Sequence, residues 1–176
     1  MNNNNIDKIT TSLISYFRTF RQFVCACEVV LYNSHGYADV LIDTEDEIIE
    51  VEVFESKKKF KNENKDKYIK HWNYKEKNAE IMPNKYYICI PNNLLKEAEE
   101  WVNKNNKKYG ILIFSDIEFN NHIINDPRNI GKSITIYKKS KSMNNKYPLE
   151  LKEKIIKRLS KFQANILLDR VEKENE

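Results

Sequence analysis

The sequence predicts an α/β protein in which helices flank a mixed sheet, with a further helix at the C-terminal end. Three observations predict this class. Residues 36–54 are typical of a β-hairpin, because two apolar runs flank the polar tip DTED. Residues 85–114 alternate an apolar strand, a helix and a second apolar strand, which is the pattern of a parallel crossover. Residues 6–24 and 148–172 carry apolar side chains at steps of three and four, as amphipathic helices do.

The remaining elements follow in chain order. Helical periodicity fades after residue 24 into VCACEVVLY, whose β-branched residues predict the first strand. The lysine-rich segment 57–79 is predicted to be one helix, with an aromatic stripe that includes Trp72 facing the core. Residues 115–132 are polar and predict a long loop, and residues 133–138 predict an edge strand. The first six elements therefore follow the order αβββαβ.

Length and composition bound the class of protein. A chain of 176 residues, 40% of them hydrophobic, suits one domain with a real core. We assign residues 1–138 to the α/β core, 139–147 to a linker, and 148–176 to a C-terminal helix that either packs on the core or forms a homodimer.

Three cysteines do not form a disulfide framework. No apolar stretch is long enough to cross a membrane and MNNNN is not a signal peptide, so we expect an intracellular protein of the cytoplasm or nucleoid.

Acidic residues interrupt the apolar runs of the predicted hairpin. On a strand, residues i and i+2 share a face, so Glu50 and Glu52 project together while Val51 and its aliphatic neighbours project toward the core. Asp39 lies on the other strand of the hairpin, whereas Asp43 falls in the DTED tip and is expected to face solvent. Adjacent carboxylates repel each other, and a divalent metal is the obvious group to compensate for that repulsion.

Two motifs and the order of the elements resemble a known family. Ala38–Asp39–Val40–Leu41 and Glu50–Val51–Glu52 lie on neighbouring strands, and Ser56 and Phe60 frame a Ser-x-x-x-Phe turn before the basic segment. This arrangement resembles the PD-(D/E)xK nuclease superfamily, and in particular its MmcB-like group, which is linked to DNA repair. That superfamily has a restriction-endonuclease-like αβββαβ core, with an acid on the second strand and an acid, any residue and a lysine on the third. The resemblance covers about residues 6–115.

The resemblance implies a metal-dependent nuclease that hydrolyses phosphodiester bonds in DNA, with RNA as a second option. Asp39, Glu50 and the carbonyl of Val51 would bind Mg²⁺ or Mn²⁺. Glu52 occupies the position of the family's lysine, where a carboxylate could act as a general base or hold a second metal. Glu28, upstream on the first strand, would complete a second shell or a second metal site.

The missing lysine leaves two other hypotheses open. A lysine could have moved onto the basic helix, and Lys57, Lys61 and Lys65 are then the candidates. Alternatively, the chain has lost catalysis and is a non-catalytic nucleic-acid-binding or accessory module on the same fold.

The basic segment provides the candidate nucleic-acid contacts. Residues 57–77 contain nine lysines and three acids, a net charge of +6 against +4 for the whole chain. Such lysines could neutralise phosphates and release counterions, which gives salt-sensitive binding; a solvated helix face is the alternative. The candidate contacts are Lys57, Lys58, Lys61, Lys65 and His71.

Overall fold

Six strands form one mixed sheet in the computed structural model, which describes residues 3–32, 36–76 and 82–174. The strands lie side by side in the order of the chain: β1 (Val24–Tyr32), β2 (Gly36–Asp43), β3 (Ile48–Val53), β4 (Lys85–Pro91), β5 (Gly110–Phe114) and β6 (Ile134–Lys138). The pairs β3–β4 and β4–β5 are parallel, and the other three pairs are antiparallel. The predicted hairpin and the predicted parallel crossover are both present.

Helices flank this sheet. They are α1 (Asn3–Ile14), which continues as a π-helical turn over Ser15–Phe20, α2 (Lys57–Asp66), α3 (Tyr68–Glu76), α4 (Leu95–Asn105), α5 (Asp116–Asn125) and α6 (Leu149–Glu174). Short 3₁₀ turns cover Asn92–Leu94 and Pro127–Ser133. The predicted fold class, an αβββαβ core with a C-terminal helix, is confirmed. None of the helices in the described ranges has the length and apolar character to cross a membrane.

The two faces of the sheet bury different side chains. On one face, Val51 and its aliphatic neighbours on β3 pack with Leu13 of α1, as predicted from the alternation along this strand. On the other face, Phe60 of α2, Tyr74 of α3 and Trp101 of α4 share a second cluster. Every side chain of β3 is buried, because this strand lies inside the sheet with helices on both sides.

The N-terminal half of α6 packs on the β1–β2 hairpin. Leu151 and Ile155 are fully buried there with residues of both strands. Farther along the helix, Ile156, Phe162 and Ile166 are exposed. The apolar stripe predicted for this helix is therefore shared between a buried part and an exposed part.

The segment 139–147 is an ordered connection in the structure. Met143 is buried, and its amide donates to the carbonyl of Asn84. The side chain of Asn84 donates in turn to the carbonyls of Asn144 and Lys146. These hydrogen bonds attach the segment to the start of β4 and so fix where α6 begins.

The lysine-rich segment is two helices, not the single helix that the sequence predicted. The first ends at Asp66, and Lys67 leaves helical geometry with φ −116° and ψ 21°. Lys70, His71 and Tyr74 keep the helical spacing that begins at Phe60, and they face the interior. The prediction for Trp72 was wrong, because twelve residues place it about 120° around a helix from Phe60, and its side chain is 47% exposed.

The prediction of a long loop over 115–132 was also wrong. Ser115 caps α5, because its hydroxyl accepts from the amide of Glu118, and Phe119 buries its ring. Asp126 caps the following 3₁₀ turn through the amide of Arg128. A polar stretch can therefore form a helix when a capping residue begins it and one buried aromatic side chain attaches it to the core.

Candidate functional site

The hairpin between β2 and β3 turns one residue later than the sequence predicted. Asp43 still pairs with Ile48, so the tip is residues 44–47, closed by a hydrogen bond from the amide of Thr44 to the carbonyl of Glu47. Asp43 is buried, and its carboxylate accepts from the Tyr147 hydroxyl at 2.7 Å. The prediction that Asp43 faces solvent at the tip is therefore wrong.

This register decides which acids face each other. A shift of one residue at the tip moves every cross-strand partner by two residues. Leu41 pairs with Glu50 and Val40 with Val51, so the next step places Asp39 opposite Glu52. The Asp39 carboxylate also accepts from the amide of Val53 at 2.7 Å, which fixes it over this end of the strand.

The register also changes the match to the nuclease motif. If Asp39 and Glu52 are the paired acids, the acid-x-lysine triplet is Glu52–Val53–Phe54 in place of Glu50–Val51–Glu52. Phe54 is fully buried and packs edge-to-face on Phe60. An aromatic core residue thus occupies the position where the motif has its lysine.

Two lysines at the α2–α3 junction neutralise the acids of β3. The ammonium of Lys70, which is fully buried, lies 2.9 Å from Oε1 of Glu50 and 2.6 Å from Oε1 of Glu52. The ammonium of Lys67 lies 2.6 Å from Oε2 of Glu52, and the Tyr74 hydroxyl donates to Oε2 of Glu50 at 2.7 Å. Each of the four carboxylate oxygens therefore accepts a strong hydrogen bond.

Glu63 and His71 extend this network toward β5. A carboxylate oxygen of Glu63 lies 3.5 Å from the ammonium of Lys70 and 3.1 Å from Nε2 of His71. Nδ1 of His71 lies 3.0 Å from the Tyr109 hydroxyl. His71 is buried and both of its ring nitrogens are engaged, so its assignment as a nucleic-acid contact was wrong. Burial lowers its pKa, in spite of the bond to Glu63.

The pKa values of the network follow from burial and these contacts. Burial alone would raise the pKa of Glu52, but the ammonium groups of Lys70 and Lys67 outweigh burial and hold it well below its usual range. For Glu50 burial outweighs Lys70, and its pKa is raised. Burial would lower the pKa of Lys70, yet Glu50 and Glu52 raise it well above the usual value. Lys70 is therefore a permanent buried cation.

Asp39 differs from these acids because it is only partly buried and borders a cleft. Burial and the neighbouring charge of Glu52 raise its pKa to about 7, against the opposing effect of Lys59 and Lys67. The Asp39 side chain thus changes its charge near neutral pH, while the neighbouring Glu52 stays ionised.

The donor set does not fit a Mg²⁺ or Mn²⁺ ion in this arrangement. Such an ion takes oxygen ligands, including one or two carboxylates. The oxygens of Glu50 and Glu52 already accept from Lys67, Lys70 and Tyr74, and a metal at this point would have to displace a buried ammonium. Among the residues that the structure describes, no group of three or more His, Cys, Asp or Glu side chains is arranged to hold a metal.

A cleft of about 720 Å³ opens between α6 and the β1–β2 hairpin, beside Asp39. The wall formed by α6 is basic. Arg158 donates to the carbonyl of Cys27 at 3.0 Å and to the carboxylate of Glu28 at 2.9 Å. Lys154 donates to the carbonyl of Val30. The lining residues are Glu28, Val29, Val30, Tyr37, Asp39, Lys154, Lys157, Arg158 and Lys161.

Glu28 therefore belongs to the cleft. It has a left-handed backbone conformation, with φ 50°, and its carboxylate is exposed next to Arg158. We expected Glu28 beside a metal held by Asp39 and Glu50. The structure brings Glu28 and Asp39 to one cleft, while Glu50 lies buried under α3 in contact with Lys70 and Tyr74.

The lysines predicted to contact nucleic acid lie away from this cleft. Lys57 forms an ion pair with Glu97 of α4, and Lys58 and Lys61 are exposed on α2. The side chain of Lys65 lies outside the described residues. Sequence reasoning missed the basic wall, although residues 149–163 contain five basic and two acidic side chains. It also missed Lys70, whose signal is its position four residues before Tyr74, on the same face of a helix.

Comparison with known proteins supports the fold. No family model matches the chain, and no curated protein matches it. Among solved structures the chain is similar to the SPO1766 protein of unknown function from Silicibacter pomeroyi, with a TM-score of 0.63 and 14% sequence identity. The likeness covers 100% of this chain and 97% of that one. At this identity the likeness establishes a shared architecture.

Proposed function

We propose that the protein binds nucleic acid, with DNA as the first partner, through the cleft between α6 and the β1–β2 hairpin. In this proposal it is a non-catalytic module on a nuclease-like fold. The observation that carries the proposal is the basic wall of α6, which brings four cationic side chains to one cleft: Lys154, Lys157, Arg158 and Lys161. Phosphate contacts of this kind give affinity that does not depend on base sequence.

The acids of β3 are compatible with a polyanion in the cleft because two lysines of the same network offset their charge. Lys67 and Lys70 offset the charge of Glu52 and Glu50 at distances below 3 Å. Lys59 and Lys67 also lie near Asp39, and their charges oppose the rise of its pKa. A phosphate chain in the cleft would therefore lie beside the α6 cations and next to an acid whose charge changes near neutral pH.

Fluorescence anisotropy with a labelled DNA oligonucleotide tests this function. We expect log Kd to depend linearly on log salt, with a slope of about 0.7 per phosphate contacted on a single strand and about 0.9 on a duplex. The double variant Lys157→Glu/Lys161→Glu should weaken binding at least tenfold and reduce the slope by more than about 1. An RNA oligonucleotide of the same sequence tests the second partner.

The matched control is Lys58→Glu/Lys61→Glu, which reverses the same charge on the exposed face of α2. It should weaken binding by less than about threefold, because the new negative charges repel DNA only from a distance, and salt screens that repulsion. Equal losses for the two double variants would contradict a site at α6, and salt-independent binding would contradict the proposal altogether.

A metal-dependent nuclease is the second candidate function. It is favoured by one observation, namely that Asp39 lies near Glu52 and the ammonium of Lys67 lies 2.6 Å from Glu52. Two acids and a lysine are the residue types of the nuclease motif, and the lysine would come from the helix, as one sequence hypothesis proposed. Lys67 would then replace the candidates Lys57, Lys61 and Lys65.

Incubation of plasmid and linear DNA with Mg²⁺, with Mn²⁺ and with chelator separates the two candidates. A nuclease would cleave with metal, and Glu52→Gln would abolish cleavage while leaving binding in chelator intact. The binding module would leave every DNA form uncut under all three conditions.

A homodimer through α6 also stays a proposal. The exposed Phe162 and Ile166 favour it, because apolar side chains four residues apart share one face of a helix and often pair between helices. Light scattering of the full chain should then give twice the monomer mass, and Phe162→Ser should return the mass to that of a monomer.

A further inference from the structure

A tyrosine lies among the cations of the cleft. Tyr37 lines it together with Lys154 and Lys157, and its side chain is 57% exposed. An aromatic ring that stays exposed inside a basic cleft has apolar surface available for a ligand. The ring of Tyr37 is thus a candidate contact for a part of the ligand other than its phosphates.

The backbone holds Tyr37 in a fixed position. The residue pairs with Val30 in the antiparallel ladder between β1 and β2. Its carbonyl accepts from the ammonium of Lys67 at 3.1 Å, which ties this part of β2 to the α2–α3 junction. A ring on a rigid strand loses little conformational entropy when a ligand stacks on it.

The basic wall is long enough to contact more than one phosphate, since the phosphates of one DNA strand recur about every 3.4 Å along the helix axis. Lys154, Lys157 and Lys161 recur at steps of three and four, so they share one side of α6. From the first to the last of them the helix rises by about 10 Å, at ~1.5 Å per residue. The cleft volume of about 720 Å³ lies within the range of about 300–1,000 Å³ that is typical of small-ligand sites.

Resting on the proposed function, we infer that the cleft binds single-stranded nucleic acid and stacks an unpaired base on Tyr37. In a duplex both faces of each base are covered by its neighbours, so a ring can stack only on a base that has left the helix. An aromatic platform beside a row of cations is the arrangement that single-strand binders use, because every base has a π face. The inference therefore assigns the α6 cations to phosphates and Tyr37 to a base.

The test compares a labelled thymidine oligonucleotide with the same oligonucleotide annealed to its complement, in chelator and at fixed salt. Wild type should bind the single strand at least tenfold more tightly than the duplex. Base stacking contributes about 1–3 kcal/mol, so Tyr37→Leu should weaken single-strand binding by about 5-fold to 150-fold. Tyr37→Phe should bind like wild type, since the ring carries the contact.

Tyr137→Leu is the matched control. Tyr137 is also about half exposed, but it lies on β6, at the opposite edge of the sheet from β1. Substitution of Tyr137 should change neither the affinity for the single strand nor the affinity for the duplex. Thermal melting of both leucine variants shows that the fold is retained, because both side chains lie at the surface.

Failure of the inference and failure of the proposed function give different results. If the duplex binds as tightly as the single strand, and Tyr37→Leu has no effect while Lys157→Glu/Lys161→Glu weakens both, the cleft binds nucleic acid but not an unpaired base. If neither form binds in a salt-dependent way, the proposed function itself is overturned. Loss of binding in Tyr137→Leu would also overturn the assignment of the base to Tyr37.

Discussion

Replacement of Lys70 by methionine removes the buried cation of the acid network while nearly keeping its volume. The wild-type ammonium lies 2.9 Å from Glu50, 2.6 Å from Glu52 and 3.5 Å from Glu63, and its side chain is fully buried. In Lys70→Met, Glu50 keeps the hydrogen bond from the Tyr74 hydroxyl, and Glu52 keeps the ion pair with Lys67. The folded state must then bury carboxylates without their counter-charge.

The expected cost is large. Removal of one partner from a buried ion pair destabilises proteins by about 3–5 kcal/mol. With an m-value of about 2 kcal/mol/M, a loss of about 4 kcal/mol lowers the urea midpoint by about 2 M. In a chain of this length the same loss lowers the melting temperature by roughly 8–16 °C. Part of the loss should be recovered in Lys70→Met/Glu50→Gln, because the buried charge of Glu50 is then absent.

Urea titrations followed by circular dichroism measure this effect. The control is Lys75→Met, which makes the same substitution on the exposed side of α3 and should change the free energy of unfolding by less than about 0.5 kcal/mol. A loss below about 1 kcal/mol for Lys70→Met would refute the reasoning. Full recovery of Lys70→Met by Mn²⁺ would also contradict it, since the acids would then form a metal site that a lysine merely occupies.

Further predictions concern Lys67, Asp39 and α6. Lys67→Met should destabilise the protein by less than Lys70→Met, because the Lys67 side chain is partly exposed and solvent can reach Glu52 in its absence. The pKa of Asp39 is about 7 in the folded protein and about 3.9 in the unfolded chain, so the folded state binds this proton more tightly. Stability should therefore fall as the pH rises from about 4 to about 7, by at most about 1.4 kcal/mol per pH unit, and Asp39→Asn should remove that fall in urea titrations at pH 5, 6 and 7. Ile155→Ala should cost about 2–5 kcal/mol and Ile156→Ala less than about 1, since only the former side chain is buried; equal costs would contradict the packing of α6.

The fold could be predicted from the sequence because periodicity reports on burial. The apolar runs of β4 and β5 are consequences of a sheet covered on both faces, and the alternation along β3 marks the side that packs against α1; these features are visible without coordinates. Helix α5 was missed because its helical signal rests on the Ser115 cap and on Phe119 in an otherwise polar stretch.

The candidate site was harder to predict because it depends on register and phase. The tip of the hairpin was misplaced by a single residue, and that error moves every cross-strand partner by two residues. Likewise, Trp72 was assigned to the stripe of Phe60 although it lies about 120° around the helix from it, and Lys70 lies on the inward side. The tip of a four-residue turn has no strong sequence signal.

The cleft depends on a tertiary contact that no local pattern encodes. Residues 139–147 bind back to Asn84, and this anchor places α6 across β1 and β2. The basic residues of α6 can be counted from the sequence, but their neighbours in the cleft, Tyr37 and Asp39, come from a strand more than a hundred residues earlier.

The most direct test of the account is the affinity of the wild-type protein for a DNA oligonucleotide, measured in chelator and in Mg²⁺ at matched ionic strength. Lys67 and Lys70 already neutralise the acids of β3, so we predict that the protein binds DNA in chelator and that Mg²⁺ does not tighten the Kd. Binding that appears only with Mg²⁺ and is lost in Glu52→Gln would contradict it, because the acids would then have to be free to hold a metal.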